Sequence, residues 1–191
     1  MRVVSAVVVL GAWLLVGCAT GHIGQLAVPL APNQIAKTDT ILVKDFDAAK
    51  AVFKGDYSNV AEKVEAGRTR LPVLISEQLV LHLTKNGYSA KKYSAEAQGN
   101  AVVVEGVVNL VDHGSAAARF WIGMGSGMSG VHTDVKVYRA GDPSKPLAEL
   151  KDVSGTSGGA GGFSGYQDWV AANAKDLALK LGDYLMGKTK K

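Results

Sequence analysis

Two glycine-rich stretches of this chain contain the residue types that phosphate-binding and hydrolytic sites use. Gly125-x-Gly127-x-x-Gly130 matches the dinucleotide fingerprint, whose glycines let the backbone approach a pyrophosphate where a helix begins. A strand-like sequence follows Gly130 instead of a helix, so we expect no nucleotide there. Gly155-Thr156-Ser157-Gly158-Gly159 has the spacing of a nucleophile elbow. An elbow needs a helix directly after the serine and a histidine downstream, whereas more glycines follow and the last histidine is His132.

The histidines and carboxylates are scattered along the chain. His132 and Asp134 share one face of a predicted strand, and Asp112-His113 could lie near them, which is the beginning of a metal site. Histidines in this pattern are more typical of surface and capping positions, as are the remaining two, His22 and His82. Carboxylates next to the strands show no convergent acid–base pair: Asp45, Asp47 and Glu105. We therefore expect no catalytic set, no metal and no cofactor, and a protein that is not an enzyme.

The only cysteine, Cys18, ends an apolar N-terminal run. Residues 3–16 carry no charge and follow Arg2, which is the layout of a secretory signal too short to span a bilayer. Leu15 and Gly17 ahead of Cys18 resemble the lipobox of bacterial lipoproteins. In those proteins the signal is cleaved before the cysteine, which then carries S-diacylglycerol and an N-acyl chain.

That resemblance implies cleavage between Gly17 and Cys18 and stable membrane attachment through the lipid on Cys18. Acylation would also remove the lone thiol, a liability in an oxidising periplasm. The alternative, a buried cysteine in an uncleaved anchor, fits poorly with so short a run. Ala19 stands where an aspartate would resemble the inner-membrane retention signal, so we expect the periplasmic face of the outer membrane.

The length and the net charge limit the number of domains and the class of partner. The 191 residues allow one domain, and the net charge of +4 is too small to indicate a nucleic-acid partner. The predicted organisation is a signal peptide, an acylated cysteine with a tether, a single domain and a basic tail: 1–17, 18–38, 39–187 and 188–191.

Hydrophobic periodicity predicts the elements that must position any site. The polar stretch Ala48–Arg70 ahead of the first helix is interpreted as a loop, or as a loop with one helical turn near Ala61–Ala66. Five strands are expected: Thr40–Asp47, Tyr88–Ser94, Ala101–Val111, Val131–Tyr138 and Leu147–Val153. The third strand is apolar enough to be buried on both faces, the fourth alternates cleanly, and the last two form an antiparallel hairpin. Six glycines in the twelve residues of Ser154–Gly165 predict a flexible connection.

Two amphipathic helices complete the predicted fold. Leu71–Asn86 has an apolar stripe at i+4 spacing with Pro72 in its first turn, and Tyr166–Leu185 follows helical spacing. The expected fold is α/β (α+β), a single mixed sheet of about five strands with both helices on one face.

Several of these stretches together resemble bacterial lipoproteins of the domain of unknown function 4410 family. The most specific piece is Arg119-Phe120-Trp121-Ile122-Gly123-Met124-Gly125; the others are Ile41–Phe46, Asn86–Tyr88, Val102–Gly106 and Gly155–Gly159. The resemblance covers about Thr40 to Leu185. The family has no established enzyme activity that the resemblance could imply for this chain. A looser likeness to other strand–helix–strand lipoproteins implies a role in partner binding or assembly.

These observations predict a non-enzymatic envelope lipoprotein that binds a protein partner or a second copy of itself, with membrane lipid bound through Cys18. The glycine-flanked apolar stretch would meet the partner or lipid: Arg119, Phe120, Trp121, Ile122, Gly123, Gly125 and Gly127. A bland alternative is a strand end followed by a tight turn. A second hypothesis is a domain that binds a small ligand or cell-wall glycan on the polar strand face of His132, Asp134, Lys136 and Tyr138. An envelope hydrolase is the least favoured possibility.

Overall fold

Seven strands and two helices lie in the part of the chain that the computed structural model describes, residues 22–94, 101–115, 117, 127–157 and 166–188. The strands are β1 (Gln25–Val28), β2 (Thr40–Val43), β3 (Val52–Lys54), β4 (Ser89–Lys92), β5 (Val102–Asp112), β6 (Ser129–Arg139) and β7 (Asp142–Ser157). The helices are α1 (Ala61–Lys85) and α2 (Tyr166–Leu185). The predicted α+β architecture is confirmed, with β1 and β3 added to the five expected strands.

The strands form one mixed sheet in the order β1-β7-β6-β5-β2-β4, and β3 pairs with β5 separately. Both β2 and β3 run parallel to β5, whereas β6 pairs antiparallel with β5 and β7, and β1 with β7. Asp47, between β2 and β3, forms a parallel bridge with Val107. The segment from β2 to β3 therefore runs along one edge of β5 for most of the length of that strand. The predicted antiparallel hairpin is confirmed as β6–β7.

Buried and less buried side chains alternate along β6, so the sheet has a dry face and a polar face. Val131, Thr133, Val135 and Val137 are buried on the dry side, as the sequence predicts, while His132, Asp134 and Lys136 are less buried. The prediction that β5 is buried on both faces holds only for its first residues. Val107 is 44% exposed because neither of the two described helices covers the second face there.

Both helices cover the dry face and pack against each other, as predicted. Their apolar stripes meet those of the strands in one core. The core residues of α1 are Leu71, Ile75, Leu79 and Leu83, and those of α2 are Val170, Ala174, Leu177, Ala178, Leu181 and Leu185.

Helix α1 begins at Ala61, ten residues before the predicted start, so the interpretation of Ala48–Arg70 as a loop is wrong from Ala61 onward, where the sequence indicated at most one helical turn. Tertiary contacts override the weak periodicity: the Arg68 guanidinium donates to the carbonyls of Ala48, Ala49 and Ala51. Pro72 therefore lies inside the helix and not in its first turn.

Residues 22–38, which the sequence assigns to a tether, pack on the domain. Strand β1 extends the sheet, the Leu30 amide donates to Tyr184 Oη at 2.8 Å, and Ile35 is 7% exposed. Among the described residues, no helix is long and apolar enough to cross a membrane.

Candidate functional site

One end of the sheet, here called the loop end, collects the ends of four strands. It is defined by Lys54 of β3, Asp112 of β5, Ser129 of β6 and Ser157 of β7. Lys54 pairs with Asp112, and Ser129 pairs with Ser157, so these termini are neighbours in the sheet. Both helices also begin at this end.

Two connections start and finish at the loop end, and the first contains the predicted contact residues. The Ser115 amide donates to the Gly127 carbonyl at 3.0 Å, and we call this pair of residues the stem. Gly127 has a φ of 67°, a left-handed conformation that favours glycine. The second connection leaves Ser157 and rejoins the fold at the start of α2. The pairing of Ser129 with Ser157 thus places one end of each connection side by side.

Gly127 is the one predicted contact residue that the structure describes. The others, Arg119, Phe120, Trp121, Ile122, Gly123 and Gly125, lie outside the described residues, as do Gly17 and Cys18.

An aromatic cluster around His113 lies next to the stem. The His113 ring is 3% exposed and is 5.0 Å from the Trp169 ring, 5.9 Å from Phe53 and 6.0 Å from Tyr57, centroid to centroid. Burial lowers the pKa of His113, although the nearby carboxylate of Asp112 opposes this shift. A neutral His113 therefore joins the cluster as an aromatic ring.

The turn after β3 presents apolar side chains beside this cluster. Tyr57 is 44% exposed and Val60 is 40% exposed. The turn is fixed from behind, since the Asp56 amide donates to the Gly114 carbonyl at 3.0 Å. A Cβ on Gly55 would come within 2.4 Å of that same oxygen, so the close approach requires glycine.

The polar face of the sheet, here called the outer face, carries a different arrangement. Lys44 Nζ donates to Glu105 Oε2 at 2.8 Å and to Tyr138 Oη at 3.0 Å, and Tyr138 Oη donates to the same carboxylate at 2.9 Å. The ammonium group of Lys44 also lies 5.0 Å from the Tyr93 ring centroid. Each member of this triangle is therefore bound by its neighbours on adjacent strands.

The triangle shifts the pKa values of its members. Burial raises the pKa of Glu105, but hydrogen bonds from Lys44 and Tyr138 lower it by more, so the carboxyl is more acidic than usual. The hydrogen bond to Glu105 raises the pKa of Lys44. Burial raises the pKa of Tyr138, with a further contribution from Glu105. The ion pair therefore stays charged around neutral pH.

Two further charge pairs on the outer face also form across strands. Lys151 Nζ donates to Asp134 Oδ2 at 3.0 Å, and His132 Nδ1 lies 2.5 Å from Asp152 Oδ1. Burial raises the pKa of Asp134, but the Asp152 amide and Lys151 together lower it below its usual value. His132 and Asp134 share this face, as predicted, but His113 belongs to the separate aromatic cluster.

Two arrangements that suggest catalysis fail on geometry. Gly155, Thr156 and Ser157 all belong to strand β7, whereas the serine of a nucleophile elbow stands in a sharp turn after its strand. Ser76 Oγ lies 2.6 Å from Lys92 Nζ, but its side chain is completely buried, and the hydroxyl donates within α1, where the Val73 carbonyl is 2.8 Å away. Within the described ranges, no group of three or more metal-ligating side chains occurs.

Sequence reasoning missed most of the loop end. Trp169 is far from Phe53 and Tyr57 in the chain, and only the predicted contact stretch Arg119–Gly127 and the position of His113 after the third predicted strand pointed to this region. The local signal available was a glycine shortly after each of two strands, Gly55 after β3 and Gly114 after β5. Both glycines adopt the left-handed backbone conformation.

Comparisons with known proteins add a family. The model of the family described as "Domain of unknown function (DUF4410)" matches residues 41–162. A comparison with curated proteins gives no match.

Two solved structures are similar at low identity. One is the PelC dodecamer from Paraburkholderia phytofirmans, with a TM-score of 0.44 and 11% identity over 82% of this chain and 96% of that one. The other is an uncharacterized protein, with a TM-score of 0.45 and 11% identity over 84% of this chain and 94% of that one. Similarity at this level says nothing further about the function of the chain.

Proposed function

The chain belongs to the DUF4410 family, and we propose that it is a lipid-anchored envelope protein that binds another envelope protein, or a second copy of itself, through the loop end. The observation that carries this proposal is the pairing of Ser129 with Ser157. This pairing places one end of each connection side by side, and the sequence of the first connection contains Arg119–Gly125, the most specific piece of the family resemblance.

The loop end also offers the surface that a protein partner needs. Tyr57 and Val60 are exposed there, next to the buried ring of His113. An aromatic side chain at the edge of a rigid cluster supplies contact area at little cost in entropy, and interfaces are enriched in such residues. The stretch with the apolar residues Phe120, Trp121 and Ile122 lies in sequence between Ser115 and Gly127, which are both at this end.

The membrane attachment is proposed from the sequence. The apolar run before Gly17 and Cys18 supports cleavage there, with S-diacylglycerol and an N-acyl chain on Cys18. Two or more chains give stable anchoring, and Ala19 favours the outer membrane, with the domain in the periplasm. On this proposal the covalent lipid is the only prosthetic group, and the protein is not an enzyme.

A second candidate function is binding of a small ligand or a glycan on the outer face. It is supported by the cation–π contacts of the Lys44 ammonium with the rings of Tyr93 and Tyr138. We favour it less, because the polar atoms that a ligand would need are already bound. His132 pairs with Asp152, and the Tyr138 hydroxyl is held by Lys44 and Glu105.

The native mass of the acylated protein, extracted in mild detergent, tests the proposal. We expect a complex heavier than one chain plus its detergent, and we expect Trp121→Asp to reduce it to the monomer. Leu81→Asp is the matched control, because Leu81 is 46% exposed on α1, away from the loop end, and this variant should keep the complex.

Three outcomes would contradict the proposal. A monomeric wild type, or a complex that survives Trp121→Asp, argues against binding through the loop end. A Cys18→Ser variant that still partitions with membranes argues against the lipid anchor. A saturable thermal shift with glycan fragments that is lost in Lys44→Met would favour the outer face instead.

A further inference from the structure

The N-terminal segment is attached to the sheet from its first described residue. The His22 amide donates to Ser154 Oγ at 3.0 Å, and the Ser154 amide donates to the His22 carbonyl at 2.8 Å. Strand β1 then pairs with β7 from Gln25, opposite Lys151. A Cβ on Gly24 would lie 2.5 Å from the Lys151 carbonyl oxygen, so the two strands are in close contact here.

Side chains reinforce this attachment, which we call the clasp (His22, His132, Asp152 and Ser154). His22 Nδ1 lies 2.9 Å from Ser154 Oγ, and His22 Nε2 lies 3.7 Å from Asp152 Oδ2. His132 binds the other oxygen of the same carboxylate. Asp152 has a φ of 56° at an irregularity in the β6–β7 pairing, which aims its carboxylate at both histidines.

The clasp limits how far the domain can stand from the lipid. Only three residues separate Cys18 from His22, and a fully extended chain of that length spans roughly 14 Å between the two Cα atoms. His22 is opposite Ser154, three residues before the end of β7, so it lies roughly 10 Å from the loop end.

Strand direction fixes which end of the domain is involved. Strand β1 runs antiparallel to β7, so the chain traced from Val28 back to His22 approaches the loop end. The opposite end of the hairpin is far away, because the nine residues from Ser154 to Lys145 correspond to roughly 30 Å of extended strand.

We propose that the domain stands on the bilayer with its loop end toward the lipid headgroups, held there by the short link between Cys18 and the clasp. This inference rests on the proposed lipid attachment of Cys18. It assigns a second contact to the loop end: Tyr57 and Val60, exposed on the β3–α1 turn, face the headgroup region. Tyrosine suits that region because its ring is apolar and its hydroxyl is polar.

Fluorescence quenching on vesicles tests the orientation. Acylation consumes the only native thiol, so an introduced cysteine can be labelled selectively. The pair Lys54→Cys and Lys145→Cys is matched, because both lysines are exposed and lie at opposite ends of the sheet. In vesicles of phosphatidylethanolamine and phosphatidylglycerol with a headgroup-attached quencher, we expect severalfold stronger quenching of the label at position 54.

A longer link provides the control. Inserting twenty Gly/Ser residues between Cys18 and His22 should leave the protein on floating vesicles but remove the difference between the two labels. Equal quenching without the insertion, or stronger quenching at position 145, overturns the orientation while flotation keeps the anchor intact. A difference that survives the insertion overturns the short link as its cause. Failure to float overturns the anchor, and the orientation with it.

Discussion

The outer face and the loop end both collect residues with functional chemistry, but they use these residues in opposite ways. On the outer face, each strand presents a charge to a partner on the next strand, as in Lys44 with Glu105 and Lys151 with Asp134. At the loop end, an ionisable ring, that of His113, is buried among aromatic side chains, and Tyr57 is left exposed beside it.

The difference follows from geometry. Neighbouring strands fix side chains about 5 Å apart, so opposite charges on one face satisfy each other without any ligand. Beyond the last paired residues of the strands there is no such register, so the chain is held there by turns, glycines and ring packing. Charged residues on a sheet therefore indicate function less reliably than apolar residues exposed at its end.

The largest expected effect concerns the support of the loop end. In Gly155→Ala, the new Cβ would lie 2.5 Å from the Asn173 carbonyl oxygen and 2.6 Å from Leu177 Cβ, so α2 must move away from β7. We expect a loss of about 3 kcal/mol in the free energy of unfolding, measured with denaturant. Gly141→Ala is the control: nothing lies within 4 Å of its Cβ, and it should change stability by less than about 0.5 kcal/mol.

An intermediate effect is expected from the outer-face triangle. In a double-mutant cycle of Lys44→Met and Glu105→Gln, we expect a coupling of about 1 kcal/mol, kept small by the one-third exposure of both side chains. Since the pKa of Glu105 is lowered on folding, its contribution is present above the unfolded value of about 4.5 and is lost as the pH falls through the folded value. Partner binding should survive both substitutions; its loss would move the site to the outer face.

The smallest effect is a pH dependence from His113. Burial lowers its pKa on folding, so its contribution to stability is complete above the unfolded value of 6.5 and is lost as the pH falls from there through the folded value. His113→Phe keeps a ring in the cluster and should reduce the loss of stability between pH 7.5 and 5.5, measured by thermal unfolding. An unchanged slope would mean that His113 titrates alike in the folded and unfolded chains.

Local sequence predicted the long elements because their periodicity is strong. The alternation of Val131–Tyr138 and the stripes of both helices needed no tertiary information. Strands β1 and β3 have four and three residues, which is too few to show a period. They form because each pairs with the edge of a longer strand. The first half of α1 depends on Arg68, whose bonds to the carbonyls of 48–51 no local pattern contains.

The site was harder to predict than the fold. The sequence identified Arg119–Gly125 as unusual and His113 as a strand end, but not that Phe53, Tyr57 and Trp169 surround that histidine. Their meeting depends on the parallel pairing of β3 with β5 and on α2 beginning at the same end of the sheet. Both are long-range features.

Photo-crosslinking at two matched tyrosines tests most directly whether the loop end is the binding surface. Tyr57 at the loop end is 44% exposed and Tyr93 beside the outer face is 41% exposed, so accessibility is equal. With p-benzoylphenylalanine at each position in the membrane-anchored protein, irradiation should give a protein adduct at position 57 and none at 93, whereas a lipid adduct alone at position 57 would support the membrane orientation but not the protein interface. Adducts at position 93 alone, or equally at both positions, would contradict the assignment of binding to the loop end.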